Sequence, residues 1–191
     1  MRTSGSSSRN SDRGAHGLRT PRIACDRTLA VRSIAGETVA IYYNLAAFVG
    51  ARDEAEAFVA HFHGRTIPIE HGDLVLDITL RETPQGWLVG LWPVGMSYGT
   101  CDDARLVAPE AREAAARWFE RELRGAPTFR AAAFGAEIYD TFLDTTLAEL
   151  VDGGGMPGLV LDIRTHVSLR SPAGTKPFGP GRRWWPRTKT P

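Results

Sequence analysis

Asp73-Leu74-Val75-Leu76-Asp77-Ile78-Thr79-Leu80 decides the fold class of this 191-residue chain. Leu74, Leu76, Ile78 and Leu80 fall on one side of an extended strand; Asp73, Asp77 and Thr79 fall on the other, with Val75 among them. That alternation belongs to a strand with one buried and one wet face, the habit of antiparallel rather than parallel sheets. Residues 87–92 read as a second strand after a Pro- and Gly-containing connection, residues 81–86, short enough for a hairpin.

Working outward, residues 52–63 place Ala55, Phe58, Val59 and Phe62 at i, i+3, i+4 and i+7, the spacing of a helix with one apolar face. Asp53, Glu54 and Glu56 suit its positive end, and Gly64 follows its last turn. Upstream, Leu29 and Val31, then Val39, Ile41 and Tyr43, alternate on either side of Gly36 and predict a further hairpin. Downstream, residues 109–124 form the clearest helix, with proline in the first turn and Gly125 just past the end. Ala111, Ala114, Ala115, Trp118, Phe119 and Leu123 make its buried stripe. Residues 129–134 read as a short strand, and residues 138–151 as a helix with Ile138, Tyr139, Phe142, Leu143, Leu147, Leu150 and Val151 on one side. Strict alternation from Leu159 to Leu169 predicts a long closing strand. The order β-β-α-β-β-α-β-α-β with two hairpins implies an α+β fold. We expect a mostly antiparallel sheet of about five to six strands, with about three helices packed on one face.

Charge divides the chain into three parts. Residues 1–22 carry five arginines against Asp12, and residues 170–191 carry six bases and no acid. Residues 23–169 hold twelve bases against twenty-one acids, a net of −9. The expected organisation is a basic N-terminal tail (1–22), one acidic domain (23–170) and a Pro/Gly-rich basic tail (171–191), neither tail apolar enough to offset the entropy of ordering. Pro172, Pro177, Pro180 and Pro186 argue against a continuing helix or central strand in the last segment. No apolar run reaches the roughly 18 residues of a membrane-spanning helix, and the first 22 residues contain no secretory apolar block. Cys25 and Cys101 read as two unpaired thiols of a cytoplasmic protein.

Several constellations carry candidate chemistry. His61, His63 and His71 could suggest a metal, but helical spacing makes His61 and His63 diverge, so we expect no metal and no cofactor. The glycine loop at residues 152–158 follows a helix and enters a strand, the reverse of a phosphate cradle, and reads as a helix stop. The loop at residues 91–103 gathers Trp92, Tyr98, Cys101, Asp102 and Asp103 between strand and helix, where loops often carry function. An enzymatic version would pair Cys101 with His71 or His166, helped by Asp102 or Asp162. Asp77, Asp162, Arg164 and His166 read as the sheet's wet face. Arg182, Arg183, Trp184 and Trp185 have the composition that contacts phosphates and stacks on bases; the alternative is a tail folded back on its own acidic domain.

No stretch carries a specific catalytic signature. The leading expectation is therefore a non-enzymatic binder of a basic protein, of the inhibitor or immunity/antitoxin kind. Its acidic face would comprise Asp102, Asp103, Glu110 and Glu113 beside Trp92 and Tyr98. A small enzyme around Cys101, Asp102 and His166, and nucleic-acid association through the tails, are the alternatives.

Overall fold

The hairpin that opens the sequence argument is the best-formed part of the sheet. In the computed structural model, which describes residues 41–98, 108–170 and 172–187, β3 (Gly72–Thr83) runs antiparallel to β4 (Gly86–Pro93), from Leu76 opposite Pro93 to Thr83 opposite Gly86. The strands extend beyond their apolar cores, so only Pro84 and Gln85 form the loop. Thr83 Oγ1 donates to Gly86 O at 2.7 Å and closes the turn. Gly86 has φ +116°, and a Cβ there would lie 2.6 Å from Val49 O, so the turn admits no larger residue.

β1 (Ile41–Val49) is the centre of the sheet, antiparallel to β4 on one side and to β6 (Ala131–Ala136) on the other. Leu45, Ala47 and Val49 enter one core and Ala46 and Phe48 the other, so β1 is buried on both faces. The strand order is β2-β3-β4-β1-β6-β7-β9-β8, with β2 at Thr66–Ile69, β7 at Val160–Asp162, β8 at Lys176–Gly179 and β9 at Arg182–Trp184. A two-residue β5 (Ser97–Tyr98) lies beside the start of β1. Every pairing is antiparallel, and the α+β class is as expected. The strands outnumber the five or six expected.

α1 (Arg52–Phe62) and α2 (Pro109–Gly125) occupy one face, burying Ala55, Phe58, Phe62, Ala115, Trp118 and Phe119 as their spacing predicts. The opposite face carries α3 (Ile138–Asp144) and α4 (Leu147–Asp152), which bury Ile138, Phe142, Leu147 and Val151 against Ala46 and Phe48. Helices therefore cover both faces rather than one. The wet-face alternation holds in β3 from Asp73 to Ile78 and fails at Leu80, which is exposed, whereas the central strands β1 and β6 have residues in both cores.

Three local readings change. The single helix expected at 138–151 breaks at Thr145, whose backbone is extended, and restarts from Thr146. Thr146 Oγ1 accepts from Glu149 N while Glu149 accepts from Thr146 N: a capping box outweighs a continuous apolar stripe. The strand expected at 159–169 ends at Asp162, whose carboxylate accepts from Thr165 N and caps α5 (Ile163–Ser168). Residues 172–187 are not a loose tail: β9 joins β7 through Val160–Trp184, Leu161–Arg183 and Asp162–Arg182, and Phe178 and Trp185 are buried. The prolines fit because Pro177 lies in β8, the edge strand, where a missing N–H costs no ladder bond. Of the expected hairpin around Gly36, Ile41 and Tyr43 lie in β1, and the rest, with all of residues 1–22, lies outside the described residues.

Candidate functional site

The residues assigned to one acidic face from the sequence are divided by the sheet. Trp92, on β4, is half-buried with its ring 4.8 Å from Tyr139 of α3. Gly90 lies beneath the pair; a Cβ there would meet the Trp92 ring at 2.2 Å and Tyr139 at 2.7 Å. Glu110 and Glu113 stand on the first two turns of α2, across the sheet. Tyr98 is in β5, opposite Ile41. Cys25, Cys101, Asp102 and Asp103 lie outside the described residues.

Three of the four acids on α2 are paired within the fold. Glu113 accepts from Arg187 at 2.8 and 3.3 Å and from Arg117 at 3.1 Å. The hydrogen bond from Arg187 holds its carboxyl below the ordinary value. Glu120 takes Arg187 Nε at 2.6 Å, and Glu122 pairs with Arg65 and Arg121. The basic aromatic stretch is equally engaged. Arg182 donates to the carbonyls of Leu123, Ala126 and Pro127, which end α2, and lies over the Phe129 ring at 4.4 Å. Arg183 donates to Thr175 O, Trp184 packs 5.1 Å from Phe178, and Trp185 fills the space over Gly155. This is the alternative in which the C-terminal stretch folds back on the acidic domain.

The histidines are dispersed. His61 packs edge-on against Phe62 and lies 3.9 Å from Glu122; burial, reinforced by Arg65, depresses its pKa. His63 and His71 are exposed. Among the described residues no group of three His, Cys, Asp or Glu side chains could hold a metal. His166 is buried in α5 rather than on a wet strand face, with Nε2 3.0 Å from Thr175 Oγ1; burial, then the Arg183 charge, lowers its pKa. His71 precedes β3, four strand steps from β7 and therefore about 19 Å away along the sheet at ~4.8 Å per step. His71 and His166 do not meet. Asp162 is committed to capping α5.

Two features emerge that the sequence reading missed. Residues 131–163 contain six acids and no base. Four of them, Asp140, Asp144, Glu149 and Asp152, are exposed on α3 and α4, and among the described residues none pairs with a base. Trp92 and Tyr139 border this surface. The run was visible in the sequence, but net charge was counted over the whole domain and not by element. Second, a cleft of about 790 Å³ opens between the first half of α2 and the strands β1 and β6, lined by Tyr43, Arg112, Phe134 and Gly135, with Glu110, Glu113, Arg117 and Arg187 among its charged groups. Nothing in the spacing of Tyr43, Arg112 and Phe134 announces that they meet.

α3 is held by two unusual residues. Asn44 is fully buried on β1; its Oδ1 accepts from Tyr139 N at 2.8 Å in the first turn of α3. Glu137, at φ 55°, makes no side-chain cap and instead accepts from Tyr42 N at 2.6 Å. The polar side chain of the neighbouring strand therefore satisfies the helix end that the chain's own N-cap residue leaves open.

No protein-family model, curated protein or solved structure matches this chain.

Proposed function

We propose that this domain is a non-enzymatic protein-binding module, of the inhibitor or immunity/antitoxin kind, whose binding surface is the α3–α4 face. The observation that carries the reading is the set of four exposed carboxylates on two adjacent short helices, unopposed by any base within residues 131–163 and bordered by Trp92 and Tyr139. Unmatched charge of one sign steers a partner of the other sign, and half-exposed aromatic side chains supply the apolar contact that anchors an interface. The partner is a basic protein.

Local distribution, not net charge, supports this. Residues 172–187 belong to the fold and bring four bases and no acid; the described residues carry seventeen acids and fourteen bases, a net of only −3. Steering by such a surface weakens with salt, because charges more than about 8 Å apart are screened at physiological ionic strength. Co-purification of the full chain from its native cell extract at low and high salt tests the reading. A basic protein retained in stoichiometric amount at low salt and released at high salt is the expected result. Recovery of the chain with no basic protein at low salt would sink the proposal.

A further inference from the structure

The cleft beside α2 contains an arginine that meets no anion among the described residues. Every other arginine of the described residues that is not fully exposed to solvent has an acceptor of negative charge or a backbone carbonyl: Arg182 has four carbonyls, Arg183 one, and Arg187 two carboxylates. Arg112 is different. It is partly buried, and among the described residues its guanidinium donates only to the hydroxyl of Tyr43, over whose ring it lies at 5.0 Å. Its Nε is buried and has no hydrogen-bond partner. A guanidinium withdrawn from water and given only a neutral phenol is incompletely compensated, and the group that would complete it is an anion presented to its fork.

The surroundings narrow that anion. The cleft volume falls within the roughly 300–1,000 Å³ of small-molecule sites. Phe134 and the Tyr43 ring provide aromatic surface, with Gly135 beside them in β6. Arg187 and Arg117 are already bound to Glu113, so among the described residues lining the cleft Arg112 is the cation without a carboxylate, with Glu110 also lining the cleft. A dianion such as phosphate would meet one available cation and a nearby carboxylate. A monocarboxylate with a flat apolar body fits both the charge and the walls. We infer that the α2 cleft is a binding site for an apolar monocarboxylate, held by Arg112 and Tyr43, on the opposite side of the sheet from the α3–α4 face and independent of its partner.

The test is calorimetric titration of the full chain with N-acetylphenylalanine, with N-acetylphenylalaninamide and with inorganic phosphate. Saturable binding of the carboxylate, at least about tenfold weaker binding of the neutral amide, and no saturable phosphate binding are expected, a charge-assisted hydrogen bond being worth about that factor. Arg112→Gln should weaken carboxylate binding by a similar factor, and Tyr43→Phe by less. The amide comparison uses the unaltered protein, so it holds even where Arg112→Gln compromises folding. Equal affinity for acid and amide, tighter binding of phosphate, or no saturable binding of the carboxylate at millimolar concentration would each overturn the inference.

Discussion

Helix α2 and the α3–α4 pair each carry four acidic side chains and put most of them to opposite uses. On α2, Glu113, Glu120 and Glu122 are tied to Arg117, Arg187, Arg121 and Arg65, and the arginine that locks two of them arrives from the far C-terminal end of the described chain. On α3 and α4 the carboxylates are exposed and none meets a base among the described residues, although Glu149 also caps α4. The lesson is that the charge of an acid is available to a partner only when the fold has not already paired it with a base. Counting charges along the chain cannot make that distinction, because Arg187, which joins Arg117 on Glu113, lies 74 positions away.

Removing residues 171–191 should produce the largest effect and break the comparison outright. The deletion takes away β8 and β9, the buried Phe178 and Trp185, and the Arg187 pairs of α2. Each large aromatic lost from a core costs about 3–5 kcal/mol, and a domain's whole stability is about 5–15 kcal/mol. Loss of a cooperative thermal transition is the expected outcome. A truncated chain melting within a few degrees of the full one would show that the hairpin is not part of the fold.

Phe142→Ala comes next. Phe142 stacks on Phe48 at 5.1 Å with rings 3° from parallel and fixes α3 to the sheet. We expect a loss of about 3–5 kcal/mol in denaturant unfolding, and with it a loss of the ordered acidic face. A loss below about 1 kcal/mol would mean that α3 is held by something other than this stack.

Arg187→Gln sharpens the contrast by making α2 resemble α3–α4. Both pairs are partly solvated, so the cost should be about 1 kcal/mol or less. The pH dependence is more telling. Arg187 depresses the Glu113 carboxyl below its ordinary value of 4.5. That stabilisation is complete above the unfolded-state value and is lost as pH falls through the folded one. The unaltered protein should therefore lose stability more steeply below about pH 4.5 than the variant does. Parallel curves would contradict the assigned pairing.

Much of this architecture could be read directly. The β3–β4 hairpin, α1, α2 and β6 follow from period-2 and period-3.6 patterns that tertiary context did not disturb. The readings that changed failed where a local polar group outweighed periodicity. Thr146 with Glu149 broke a helix, and Asp162 turned an alternating stretch into strand and helix. The C-terminal hairpin was obscured because prolines and arginines look like a solvated tail. Arg182 is nevertheless spent on the carbonyls that end α2, and Pro177 sits on an edge strand, where proline is tolerated. The glycine stop after α4 was legible: Gly154 and Gly155 have positive φ, and Gly155 N bonds back to Leu150 O. The cleft was not, because Tyr43, Arg112 and Phe134 are brought together only by the pairing of β1 with β6 and the packing of α2.

The most direct test of the account compares two neutralised variants of the full chain. One carries Asp140→Asn, Asp144→Asn, Glu149→Gln and Asp152→Asn; the other carries Glu110→Gln and Glu113→Gln. In co-purification at low salt, the first should lose the basic partner while keeping a melting temperature close to that of the parent. The second should retain it. Retention by the first variant with loss by the second would place the interface on α2 and contradict the assignment of the α3–α4 face.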